Sequence, residues 1–175
     1  MKLIDQVVLV DEFDNEIGCM EKMEAHRSES LHRAFSVFLF DSKGRMLLQQ
    51  RAMNKYHSPG LWTNTCCSHP MPGESVQAAA NRRLMEEMGI QTSLTMAFNF
   101  IYKAKLDQGL TEHELDYVLI GKFDGEVYPN SLEVSNYLYE EIEQIKEHLK
   151  NKPEQYTVWF KIAFSKVLEW YQNNK

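Results

Sequence analysis

The sequence has little cysteine, no long apolar run and no excess of positive charge. Three cysteines among 175 residues, two of them adjacent, cannot form a disulfide framework and indicate a reducing compartment. No apolar run approaches the length of a membrane span, and the N-terminus lacks the apolar core of a signal peptide. The net charge of −6 argues against a nucleic-acid surface. We therefore expect a cytoplasmic protein that binds neither nucleic acid nor a membrane.

Length and composition predict one folded domain. The chain is long enough to bury a core, and its 43% hydrophobic and 25% charged residues are ordinary for a globular protein. Because no internal repeat, low-complexity tract or linker divides it, residues 1–175 are expected to form a single domain.

Alternation and helical periodicity predict strands interleaved with helices. Helices are expected at 74–88, 140–150 and 157–172, and Gly89 stands where the first should end. Strands are expected at 7–10, 17–20, 34–40, 45–51, 97–104 and 112–123, with 34–51 forming a hairpin. This order predicts a mixed α/β (α+β) sandwich.

The densest group of reactive side chains lies at residues 62–70, Trp-Thr-Asn-Thr-Cys-Cys-Ser-His-Pro. The stretch holds two adjacent thiols, an imidazole and an indole, and it is too short and broken to be a helix. We expect a loop that presents a site.

A pair of carboxylates on a predicted strand suggests a cation. Glu112 and Glu114 are two residues apart and project from the same face, whereas His113 points the other way. A bound cation would relieve their repulsion, although a solvent-exposed sheet face is the better explanation of the pair taken alone. If His26, His32 and His69 converge on the pair, the site suits Zn²⁺, Mn²⁺ or Fe²⁺. Taken singly, each histidine is better explained as a surface or core residue.

The helix predicted at 74–88 carries a second pattern. Its acids and arginines fall on the spacing of the Nudix box, G-x5-E-x7-R-E-U-x-E-E-x-G-U with U aliphatic, which spans residues 68–90. Ser68 replaces the first glycine, and Arg83 replaces the first glutamate of the R-E-U-x-E-E core. In Nudix hydrolases that core holds Mg²⁺ against a diphosphate, so Arg83 would weaken the metal cluster and offer positive charge to the diphosphate. The chain thus resembles a Nudix protein in which the residues for hydrolysis are altered. The resemblance implies a Nudix-like α/β/α sandwich with a mixed central sheet.

Three motifs together resemble the type I isopentenyl-diphosphate isomerases. Residues 62–70 resemble their catalytic-cysteine motif, and Glu112-His113-Glu114 resembles their E-x-E metal motif. His26 and His32 match their N-terminal histidines, and the likeness covers most of the chain. The resemblance implies an isomerase that interconverts isopentenyl and dimethylallyl diphosphate through a tertiary carbocation, in isoprenoid biosynthesis.

The resemblance also implies roles in proton transfer. Cys67 and Glu114 would act on the two sides of the substrate, and the sequence leaves open which is the acid and which the base. Tyr102 would relay a proton to Glu114, and the indole of Trp159 would face the cation. Both aromatic residues are also readable as ordinary core residues.

The implied cofactors are two kinds of divalent ion. One ion, Mn²⁺ or Zn²⁺, would be held by His26, His32, His69, Glu112 and Glu114. Mg²⁺ would arrive with the diphosphate and bind Glu87 and the backbone carbonyl of Cys67. The cations expected to neutralise the phosphate oxygens are Lys22, Arg51, Lys55 and Arg83. Cys66 and Cys19 are interpreted as structural, and His57 and His148 have no evident partner.

Two other functions stay open at this point. A Nudix pyrophosphohydrolase would release phosphate from diphosphate substrates, and Arg83 counts against it. A metal-bearing sensor would bind a diphosphate and a protein partner, but it has no need for a thiol and a carboxylate across one pocket. For the isomerase we expect a monomer or weak homodimer whose ligand is a small isoprenoid diphosphate.

Overall fold

Strands and helices alternate along the chain in the computed structural model, which describes residues 5–174. The elements are β1 (Gln6–Val10), β2 (Glu16–Glu21), α1 (Lys22–Arg27), β3 (His32–Phe40), β4 (Met46–Arg51), β5 (Trp62–Thr63), β6 (Cys66–Ser68), α2 (Val76–Met88), β7 (Leu94–Lys105), β8 (Thr111–Lys122), β9 (Val134–Glu140), α3 (Ile142–Asn151) and α4 (Val158–Asn173). Among the helices of this described part, none is long and apolar enough to cross a membrane.

Strand β3 lies at the centre of a mixed sheet. It runs parallel to β8 and antiparallel to β1, β4 and β6. Outer strands extend the sheet, since β7 pairs with β8, β2 with β1, and both β5 and β9 with β4. This register sets His32 opposite Glu114 and Ser36 opposite Cys67, so the sheet brings three distant parts of the chain together.

Helices cover both faces of this sheet. On one face, Phe35, Val37 and Leu39 of β3 pack in a buried cluster with Leu84 and Met88 of α2. On the other face, the alternate residues Phe38 and Phe40 pack with Ile145 of α3 and Phe160 and Phe164 of α4. A central strand buried on both faces is expected to be apolar, as β3 is from Val37 to Phe40. The α/β/α sandwich with a mixed sheet is confirmed.

Most predicted elements are present, and the differences lie in residues 62–70, in the unpredicted helix α1 and around residue 140. Residues 62–70 were expected to form a loop, but they include the short strands β5 and β6, which pair with β4 and β3. Strand β9 was not predicted, and residue 140, placed in a helix, is its last residue. Cys19 was interpreted as structural; it is exposed on β2, so that interpretation was wrong.

Candidate active site

One pocket collects most of the side chains singled out in the sequence. It is bounded by α1, β3, β6, β7, β8, α2, α4 and the loop after β4. Its lining includes Lys22, Arg51, Lys55, Cys67, His69, Arg83, Glu87, Tyr102, Glu112, Glu114 and Trp159. Four cations, a thiol and two neighbouring carboxylates therefore face the same space.

The three histidines do converge on the carboxylate pair. His26 lies on α1, His32 begins β3, His69 follows β6, and the two glutamates lie on β8. One potential ligand atom from each of the five residues lies within 4.8 Å of every other. The sequence could not show whether the histidines converge on the two glutamates, and in the structure they do.

The orientation of the imidazoles leaves acceptors pointing into this cluster. His26 donates from Nδ1 to the carbonyl of Lys22 (2.6 Å), and His32 donates from Nδ1 to the carbonyl of Ser30 (2.8 Å). Each Nε2 then carries a lone pair, as a metal ligand requires. His26 Nε2 faces Glu112 Oε2 at 3.3 Å, and neither buried atom has a hydrogen-bond partner.

Two buried acceptors that face each other are costly without a group that binds both. A divalent cation satisfies them at once. Mixed imidazole and carboxylate donors suit Zn²⁺, Mn²⁺ or Fe²⁺, whereas a closed structural zinc site favours thiolates and imidazoles. The residues of the cluster therefore fit one divalent metal ion.

The two carboxylates differ in their surroundings. Glu114 accepts hydrogen bonds from Tyr102 Oη (2.7 Å) and His69 Nε2 (2.9 Å). Burial opposes its ionisation, but the neighbouring rings of His32 and His69 hold the pKa of Glu114 well below the usual range. Burial and the neighbouring charge of Glu114 raise the pKa of Glu112 well above the usual range. A bound cation would favour the ionised form of both carboxylates.

The thiol that lines the pocket belongs to Cys67. Its Sγ donates to Asn64 Oδ1 (3.0 Å) and accepts a hydrogen bond from Trp159 Nε1 (3.1 Å). Burial, with Asp116 and Glu87 nearby, raises the pKa of Cys67 to about 12, so the ligand-free pocket holds a neutral thiol. Successive side chains of a strand point to opposite faces, and Cys66 accordingly lies in the core against α2.

The cations of the pocket are held by specific partners. Arg51 donates to the carbonyls of His57 (3.1 Å) and Ser58 (3.2 Å), and its guanidinium lies 5.3 Å from the Trp159 ring centre. Arg83 pairs with Glu87 at 2.7 Å and with Glu133 at 3.2 Å. Lys55 also pairs with Glu133. These contacts hold the three positive side chains at the pocket.

Comparison with known proteins identifies the family. The NUDIX domain model matches residues 30–160. The isopentenyl-diphosphate Delta-isomerase of Pectobacterium atrosepticum is 50% identical over 169 residues, which cover 97% of this chain and 94% of that protein. Isopentenyl-diphosphate Delta-isomerase 1 of Aromatoleum aromaticum is 49% identical and covers 94% of this chain and 93% of its own. The chain belongs to the isopentenyl-diphosphate Delta-isomerases, within the Nudix family.

Solved structures agree on the fold of this isomerase family member. A Deinococcus radiodurans crystal structure aligns with a TM-score of 0.71 at 20% identity, over 84% of this chain and 90% of that one. The MutT protein of Methanosarcina mazei aligns with a TM-score of 0.65 at 20% identity, over 83% and 96%. At this identity they show the Nudix fold alone.

Four residues near the site were not assigned from the sequence. Asn64 hydrogen-bonds Cys67, Glu133 pairs with two cations, and His57 lies 3.3 Å from Glu112. Asp116 is buried and accepts a hydrogen bond from Ser36 (2.8 Å). Two of the four had a local signal: Asn64 lies within residues 62–70, and the alternation that pairs Glu112 with Glu114 continues to Asp116.

His148, also left without a partner in the sequence, lies away from this group. Its Nδ1 is 3.4 Å from the hydroxyl of Tyr156.

Proposed function

We propose that the protein interconverts isopentenyl and dimethylallyl diphosphate by protonation and deprotonation through a tertiary carbocation. The observation that carries this proposal is a single pocket that holds the Cys67 thiol, the Glu114 carboxylate and a group of cations. Names of relatives that are about half identical over nearly the whole chain support the same reaction. The enzyme would act in the cytoplasm as a single domain, a monomer or weak homodimer.

The reaction needs an acid and a base that reach two carbons of one substrate. Cys67 and Glu114 are the candidates. A proton added to the terminal alkene carbon leaves a tertiary cation, and a proton removed from the methylene next to that cationic carbon restores a double bond. Trp159 donates to the sulfur of Cys67, which holds the indole beside the reacting carbons. An indole face stabilises a positive centre without attacking it, and the buried aromatic surroundings exclude water.

Two divalent ions complete the proposed site. An ion at the His/Glu cluster, Mn²⁺ or Zn²⁺, would supply positive charge that keeps Glu114 in place and tunes its acidity. Glu87 and the backbone carbonyl of Cys67 would bind Mg²⁺ that arrives with the diphosphate. Positive side chains that line the same pocket would bind the phosphate oxygens, namely Lys22, Arg51, Lys55 and Arg83.

Conversion in heavy water tests the proposal directly. Incubating the protein with isopentenyl diphosphate, Mg²⁺ and Mn²⁺ or Zn²⁺ should yield dimethylallyl diphosphate that carries deuterium, measured by proton NMR. A phosphate-release assay on the same sample should stay at background, because no water attack is involved. Absence of conversion by metal-replete protein would overturn the assignment, and release of phosphate would favour the pyrophosphohydrolase.

Tyr102→Phe is expected to lower the conversion rate roughly 100-fold, a typical size for loss of a proton-transfer partner. The substitution removes the hydroxyl that lies 2.7 Å from Glu114 and keeps the ring. Initial rates measure the effect, and KM should change little. Tyr117→Phe is the matched control, since Tyr117 lies on β8 and hydrogen-bonds Asp14 outside the pocket. Equal rates for both variants would show that Tyr102 only packs.

A further inference from the structure

His57 is a buried polar residue to which the proposed reaction gives no part. Only 4% of its surface is exposed, and its ring makes edge contacts with Tyr56 and Trp159 at centroid distances of 4.5 and 5.6 Å. Its Nε2 lies 3.3 Å from Glu112 Oε1. Packing alone does not require a nitrogen at that point, because a phenyl ring would make the same edge contacts.

Few ring nitrogens are placed to donate a hydrogen bond to the Glu112 carboxylate. Glu114 accepts hydrogen bonds from Tyr102 and His69, whereas the ring nitrogens nearest to Glu112 belong to His26 and His57. Because the ring proton of His26 is on Nδ1, which donates to the carbonyl of Lys22, its Nε2 has no proton to donate to Glu112. Among the neighbouring rings, His57 is thus the one placed to donate a hydrogen bond to this carboxylate.

The tautomer that this role needs is compatible with the other side of the ring. Ser58 Oγ lies 3.4 Å from His57 Nδ1, and a hydroxyl that donates there leaves the proton on Nε2. The donor would then hold Glu112 Oε1, while Glu112 Oε2 stays directed at His26 and the cluster.

Hydrogen bonds to its backbone hold the segment that carries His57 in place. Arg51 donates to the carbonyls of His57 and Ser58, and the Gln50 side chain donates to the carbonyl of Gly60 (2.9 Å). The backbone amide of Gly60 in turn donates to the carbonyl of Arg51 (3.1 Å). The backbone at His57 is therefore held relative to β4, the strand that carries Arg51.

We propose that His57 is a positioning residue that donates a hydrogen bond from Nε2 to Glu112 and orients that carboxylate toward the metal cluster. The proposal rests on the metal site of the proposed function. The carbonyls of the same short segment accept hydrogen bonds from the guanidinium of Arg51, one of the proposed phosphate-binding cations. The segment therefore contacts both the metal cluster and the proposed diphosphate site. Outer partners of this kind change metal affinity by about 10- to 100-fold when removed.

Calorimetric titration of the chelator-stripped protein with Zn²⁺ alone tests the role. His57→Phe keeps the ring and removes the donor, and it should weaken Zn²⁺ binding about 10- to 100-fold. His57→Gln can place an amide N–H near the position of Nε2, and it should restore most of the affinity. His57→Asn ends near the position of Nδ1 and should bind as weakly as His57→Phe. Thermal unfolding of the metal-free proteins checks that each variant is folded.

The Gln and Asn variants keep the test decisive if His57→Phe does not fold. Equal Zn²⁺ affinity for wild type, Asn and Phe would overturn the proposal, as would equal losses in Gln and Asn. A wild-type protein that binds no Zn²⁺ or Mn²⁺ would overturn the metal cluster itself. Isomerisation in heavy water is measured separately, so a failure of His57 and a failure of the proposed function are distinguishable.

Discussion

Cys67→Ala is expected to reduce the conversion of isopentenyl diphosphate by about 10³- to 10⁴-fold, at the upper end for loss of an acid–base group. The thiol is held by Asn64 and Trp159 and has no substitute among the pocket residues, which include no other cysteine. Proton NMR in heavy water measures the remaining rate. The fold should persist, because the side chain lies at the pocket surface rather than in a core cluster.

Cys66→Ala is the matched control for this loss. Cys66 carries the same side chain one residue away, but it is completely buried in the core cluster with α2. Its substitution should cost about 1 kcal/mol of stability, the usual size for a core substitution, and leave the rate near that of wild type. If Cys66→Ala loses as much activity as Cys67→Ala, the choice between the two thiols is wrong.

Strand alternation made part of this site accessible from the sequence. A period of two places Glu112 and Glu114 on one face and predicts that His113 points away, where it hydrogen-bonds the backbone of Glu29. The same period separates Cys66 from Cys67, but it applies only once β6 is known to be a strand. That pairing with β3 is a contact between distant residues, which no local pattern reveals.

The remaining parts of the site depend on tertiary contacts with weak local signals. Helix α1, which carries His26, has six residues. Its N-cap is Glu21, whose side chain accepts hydrogen bonds from two backbone amides. It is too short to show a period of apolar residues. His57 stands in a loop fastened by Arg51, and its neighbour Glu112 is far along the chain. Resemblance to a family supplied the expected roles, whereas the structure supplied His57 and Glu133.

Glu114→Gln is expected to remove nearly all conversion and also to weaken divalent metal binding. The amide keeps the shape of the side chain, but it cannot take up or release a proton, and it replaces the carboxylate to which Tyr102 donates at 2.7 Å. We expect a rate loss of about 10³-fold or more. Because the cluster also loses one charged ligand, Zn²⁺ affinity should fall in a calorimetric titration of the chelator-stripped protein.

Glu112→Gln separates the two roles of the carboxylate pair. Glu112 is a member of the same cluster, but its nearest ring partners are His26 and His57, and the hydroxyl of Tyr102 is bound to Glu114. Its substitution should weaken Zn²⁺ binding as much as Glu114→Gln does. At saturating metal, however, its rate should recover to well above that of Glu114→Gln. Equal rates for the two variants at saturating metal would mean that Glu114 acts only as a ligand, and the proton would then have to pass through another group of the pocket.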